Sequence, residues 1–163
     1  DFDSINKEDI KRLEIDSIRK FKYNCEKDST DSDIAMEIAL KMEFVEIYMM
    51  AMTGSRFDHS FANLGLLCKA NDAGAKAYII NETNKIYLIE ESSKIKKDNS
   101  YKYISFLAYC DKVENFNIKN AKYDLENYTL YLGDNRTVSN EFLEDDIEVE
   151  FTKGKILVIF SKD

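Results

Sequence analysis

The 163-residue sequence contains no proline and no tryptophan, only 5 glycines and a single histidine. Average usage near 5% would give about eight prolines in such a chain, so the usual breaks between elements go unmarked. Five scattered glycines leave no room for a glycine-rich phosphate loop. One histidine, His59, means that any Ser/His or Cys/His dyad must use that residue. No stretch approaches the roughly 20 uncharged apolar residues that cross a bilayer. Basic residues are the minority, 23 against 31 acidic, for a net charge of -8. That balance excludes duplex nucleic acid as partner, because a phosphate backbone demands a basic footprint.

What remains is ample for one folded unit. Hydrophobic residues make up 44% and charged residues 33%, which excludes wholesale disorder. A chain of this size buries roughly 70% of its unfolded surface and needs no metal or disulfide to hold a core. Cys25, Cys68 and Cys110 are far apart, with no CxxC pair, so an odd thiol stays free in a monomer. The chain opens Asp1-Phe2-Asp3 rather than with Met, and a removed signal sequence, membrane helix or disordered stretch is expected ahead of it.

The patterning changes halfway. Ile10, Leu13, Ile18, Phe21 and Cys25 recur at helical spacing over Asn6 to Cys25. Thr30 and Asp33 have the spacing of a helix cap. Ile34, Ile38, Met42, Val45, Met49 and Met52 then form one stripe, which predicts a single core helix over Ile34–Met52 ended by Gly54. Phe57, Phe61, Leu64 and Cys68 suggest a shorter helix. From Lys76 the period is two: Ala77–Ile80, Ile86–Ile89, Tyr101–Cys110, Val113–Ile118, Tyr123–Leu132, Ile147–Phe151 and Lys155–Phe160 read as strands. The expectation is one α+β domain over 1–163, helical over 1–70 and stranded over 76–160, with N-terminal helices on one face of an antiparallel sheet.

Chemistry-bearing clusters are sparse. Ser55-Arg56-Phe57-Asp58-His59-Ser60 surrounds the histidine but matches no nucleophile pattern, so His59 is expected at a surface or helix start. A zinc set of Cys25, His59, Cys68 and Cys110 lacks locally paired ligands. Asp28, Asp31 and Asp33 lack the glycine and distal glutamate of a calcium loop. No catalytic residue, metal or cofactor is assigned. The densest acidic run, Glu141, Glu144, Asp145, Asp146, Glu148 and Glu150, is read as a solvated face and as the candidate docking face for a basic partner.

The hairpin Lys76 to Glu90, the lysine-rich loop after it, the segment Leu107 to Ile118 and the closing hairpin Ile147 to Phe160 resemble the globular part of type IV pilin-like proteins, minor pilins and pseudopilins. That resemblance implies a bacterial, non-catalytic subunit of an extracellular filament or secretion pseudopilus. It also implies other pilin subunits as partners, a removed N-terminal membrane helix and a cell-surface location. The alternative is a soluble, cytoplasmic acidic binding module, such as an immunity protein neutralising a basic toxin. An enzyme ranks third.

Overall fold

The computed structural model describes Phe21 and residues 28–163; the amphipathic segment read over Asn6 to Cys25 otherwise lies outside the described residues. Helix α1 spans Asp31–Lys41, and Thr30 caps it by accepting a hydrogen bond from the Asp33 amide at 3.2 Å. The helix stops far short of Met52. Met42 closes it, Glu43 turns at φ 58, and the chain re-emerges as strand β1, Glu46–Met50. The expected Ile34–Met52 core helix is therefore corrected to a helix, a tight turn and a strand. No glycine or proline marks the junction, because Glu43 itself takes the left-handed conformation.

Helix α2 follows at Phe57–Asp72, and β2, Lys76–Ile80, then pairs parallel to β1 with Tyr48 opposite Tyr78. This is a β–α–β crossover, as parallel neighbours require. Strands lie where they were expected beyond it, and the lysine-rich stretch read as a loop carries one more, β4: β3 (Asn84–Ile89), β4 (Ser93–Ile95), β5 (Tyr103–Ala108), β6 (Lys112–Lys119), β7 (Leu125–Tyr131), β8 (Ile147–Glu150) and β9 (Ile156–Ser161). They form two sheets rather than one. The first has the order β1-β2-β3-β9-β5 and the second β4-β8-β6-β7. The α+β expectation of helices lying on a single antiparallel sheet is thus overturned: two described helices accompany a mainly β structure, and its first strand pair is parallel.

Strand β9 explains the two-layer arrangement. Its run Ile-Leu-Val-Ile-Phe is almost wholly apolar because both faces are covered. Leu157 joins the cluster beneath the helices with Leu67, Ala70, Ala77 and Ile79. Ile156, Val158 and Phe160 face the second sheet and pack with Phe106, Phe116, Leu130 and Val149. The segment after β7 seals the outer edge of β5. Ile104 and Asn140 exchange two backbone hydrogen bonds of 2.8 Å, and the Phe106 amide donates to the Thr137 carbonyl at 3.1 Å. Covering an edge in this way leaves no open ladder there.

Candidate active site

Strands β1 and β2 both deliver their carboxyl ends to one rim of the first sheet. In open α/β sheets ligands bind in the crevice beyond such ends. Here the crevice is built by the loop 51–56, the first turn of α2 and the β2–β3 turn. Ala51 leaves β1 at φ 57. The Ser60 hydroxyl accepts from the Gly54 amide at 3.1 Å and donates to the Arg56 carbonyl at 3.2 Å, so the loop is tied to the helix it precedes. Asn63, one turn further on, donates to the Met52 carbonyl at 2.7 Å. From the other strand, the Asn81 amide donates to the Thr53 hydroxyl at 2.8 Å, while its oxygen accepts from the Thr83 and Asn84 amides at 2.9 and 2.7 Å. The loop is therefore held in shape by these hydrogen bonds, with Met52 packed on the cluster beneath the helices.

At its tip Arg56 and Asp58 form a two-pronged pair, Nη2 to Oδ2 at 2.7 Å and Nε to Oδ1 at 3.3 Å. The guanidinium holds the Asp58 carboxyl below the usual carboxylate range, and Asp58 in turn raises the Arg56 pKa. Both side chains stand two-thirds exposed, at 68% and 66%. Arg56 also occupies the N-cap position of α2, where no side chain caps the helix. A 16-residue helix directs the positive end of its dipole at this point. A forked cation beside a helix N-terminus is suited to phosphate oxygens. His59 is exposed in the same turn. A Cβ added at Gly54 would meet nothing within 4 Å, so that glycine leaves open space at the crevice.

The residues singled out from sequence are dispersed by comparison. Glu141 pairs with Lys122 and Glu150 with Lys119, each at 2.7 Å. Asp146 accepts from the Lys97 amide at 3.0 Å. Glu148 lies in β8 opposite both Lys94 and Lys119, and Glu144 and Asp145 are exposed in the preceding loop. Asp33 serves α1, where it pairs with Lys69 of α2 at 2.7 Å. Cys68 and Cys110 are half-buried free thiols. Among the described residues no group of three or more His, Cys, Asp or Glu side chains is placed to hold a metal ion. The crevice itself lay hidden because its signal is strand–turn–helix. With β1 read as helix, Thr53 to Asn63 had no such frame.

A parallel β–α–β unit at one edge of a two-sheet structure, with a polar loop beyond its strand ends, is the arrangement in which α/β enzymes place their ligands. Comparison with known proteins gives the family. The family model described as thiamin pyrophosphokinase, catalytic domain, matches residues 1–79, and that described as thiamin pyrophosphokinase, vitamin B1 binding domain, matches residues 92–156. A thiamine pyrophosphokinase of Bacillus subtilis (strain 168) is 32% identical over 164 residues, covering 100% of this chain and 77% of the relative. The crystal structure of thiamine pyrophosphokinase from Bacillus subtilis superposes with a TM-score of 0.90 at 32% identity, over 100% of this chain and 77% of that one. That of thiamin pyrophosphokinase from Geobacillus thermodenitrificans gives 0.85 at 29% identity, over 100% and 75%. The chain belongs to the thiamin pyrophosphokinase family.

This overturns the pilin-like reading. The strands that carried the resemblance belong to a family of catalysts over the whole chain, so neither a filament subunit nor pilin partners are supported. The immunity-protein alternative, with its basic toxin partner, falls on the same finding, as does the non-enzymatic expectation. The cell-surface location loses its basis too. Among the described residues no helix is long and apolar enough to cross a membrane.

Proposed function

We propose that the protein transfers the terminal diphosphate of ATP to thiamine, yielding thiamine diphosphate and AMP. The hydroxyl oxygen of the thiamine side chain forms a bond to the β-phosphorus. The bond from that phosphorus to the oxygen bridging the α-phosphorus breaks, and this oxygen leaves with AMP. The hydroxyl proton passes to solvent. The observation that carries the reading is the Arg56–Asp58 fork at the N-terminus of α2, in the crevice of the half matched by the catalytic-domain model. Arg56 meets the non-bridging oxygens of the transferred group, and Asp58 holds its guanidinium in plane. Ser60, Asn63 and Asn81 keep the loop in the geometry that lets its amides approach phosphate, which is positioning rather than covalent chemistry. The sandwich half, matched by the vitamin B1 binding model, supplies the thiamine side. Because ATP is the donor, the cytoplasm is the compartment we propose.

The test is turnover of ATP with and without thiamine, followed by chromatography of both products. AMP and thiamine diphosphate in equal amounts, with no AMP in the absence of thiamine, is the expected result. ATP left intact in the presence of thiamine would overturn the assignment.

A further inference from the structure

Among the described residues the second sheet covers β9 and β5, and nothing described lies on the neighbouring part of the first sheet on the side away from α1 and α2. There the register lines up three tyrosines, Tyr48, Tyr78 and Tyr87, across β1, β2 and β3. Tyr48 and Tyr78 stack at 5.0 Å with their planes 14° apart, and Tyr78 meets Tyr87 at 5.5 Å. Above Tyr78 and Tyr87 lies a groove of about 890 Å³, walled on the far side by β4. It runs toward the amino ends of β1 and β2, the opposite rim from the crevice, and Glu46 and Lys76 line that end.

The charges around it are unevenly satisfied. Glu46 is engaged by the Tyr48 and Tyr78 hydroxyls, and Glu90 by Lys155. Lys85 sits over the Tyr78 and Phe160 rings, 3.8 Å from Asp98. Lys76, Lys94 and Lys96 also line the groove, and none has an ion-pair partner among the described residues. Against them the groove is lined by one further carboxylate without an ion pair, Glu91, and Lys94 lies opposite Glu148 of β8, so the lysines outnumber the unpaired acids by a small margin in a chain of net charge -8. The aromatic floor offers apolar contact to a planar ring, and ammonium groups without an ion pair offer charge to phosphate. The volume falls in the range of small-molecule sites, about 300–1,000 Å³.

We propose that this groove is a second nucleotide site, separate from the crevice, with the base on the tyrosine floor and the phosphate met by Lys76, Lys94 and Lys96. The experiment is equilibrium dialysis of AMP, and separately of inorganic pyrophosphate, against the whole chain carrying Arg56→Ala to weaken the crevice. AMP should still bind at one per chain and weaken on raising salt. Adding Lys94→Ala and Lys96→Ala, both on exposed positions, should weaken AMP at least tenfold. Tyr78→Leu, which keeps a β-compatible apolar side chain, should weaken AMP while leaving pyrophosphate unchanged. No AMP binding in the Arg56→Ala protein, or equal binding after both lysine changes, would overturn the site. AMP binding unaffected by Tyr78→Leu would overturn the nucleotide assignment. The readout is binding alone, so its outcome is independent of whether the chain turns over thiamine.

Discussion

Arg56 offers the sharpest separation of chemistry from stability. Its fork to Asp58 is exposed on both sides, at 68% and 66%, and is screened by water. The helix α2 is anchored by Leu66, Leu67 and Ala70 at its buried end. Arg56→Ala should therefore leave the melting temperature within about 2 °C of the parent, as expected for an exposed surface pair. Activity should behave differently. Removing one preorganised donor to a transferring group costs about 10²–10³ in kcat. Arg56→Lys should recover little, since a single ammonium cannot reproduce the two-pronged geometry. The assay is initial rate of thiamine-dependent AMP formation beside a thermal melt of the same preparation. Full activity in Arg56→Ala, or a loss of activity that tracks a large fall in melting temperature, would refute the reasoning.

Three further outcomes follow from the packing. Gly154 sits at φ 133 between β8 and β9, and a Cβ there would lie 2.9 Å from the Val113 Cα and 3.0 Å from the Lys112 carbonyl oxygen. Gly154→Ala should cost about 2–5 kcal/mol from backbone strain and overpacking combined, read as a fall in urea midpoint. Thr30→Ala removes the cap on the Asp33 amide and should cost about 1 kcal/mol, with the loss confined to α1 in amide exchange. Burial raises the pKa of Tyr87 well above its ordinary value of 10.0. The unfolded chain therefore ionises this phenol first, so its contribution is full below about pH 10 and declines as pH rises further. Tyr87→Phe should flatten the alkaline arm of a stability–pH curve.

Much of the second half was legible because its strands are half-buried. Ala77 and Ile79 alternate with Lys76, Tyr78 and Ile80, and Ile86 and Leu88 with Lys85, Tyr87 and Ile89, and the Asn81 to Asn84 turn sits where its side-chain hydrogen bonds are made. The first half misled for a physical reason. Ile34 and Ile38 of the supposed stripe lie on α1, Met42 and Val45 stand exposed between the elements, and Met49 lies in β1, so residues of a helix, a turn and a strand happen to recur at helical spacing. Two-sided burial likewise made β9 legible as a strand but silent about the second sheet. The candidate site followed that error. Arg56, Asp58 and Ser60 carry meaning only after a strand has ended at Met50, and the acidic residues from Glu141 to Glu150 drew attention through composition alone. Pairing with Lys119 and Lys122 accounts for two of these.

The most direct test of the central claim is where the β-phosphorus goes. Incubated with thiamine and ATP labelled at the β-phosphate, the protein should place the label in the thiamine product and release unlabelled AMP. Label retained in ADP, with a single phosphate on thiamine, or no transfer at all, would contradict the account.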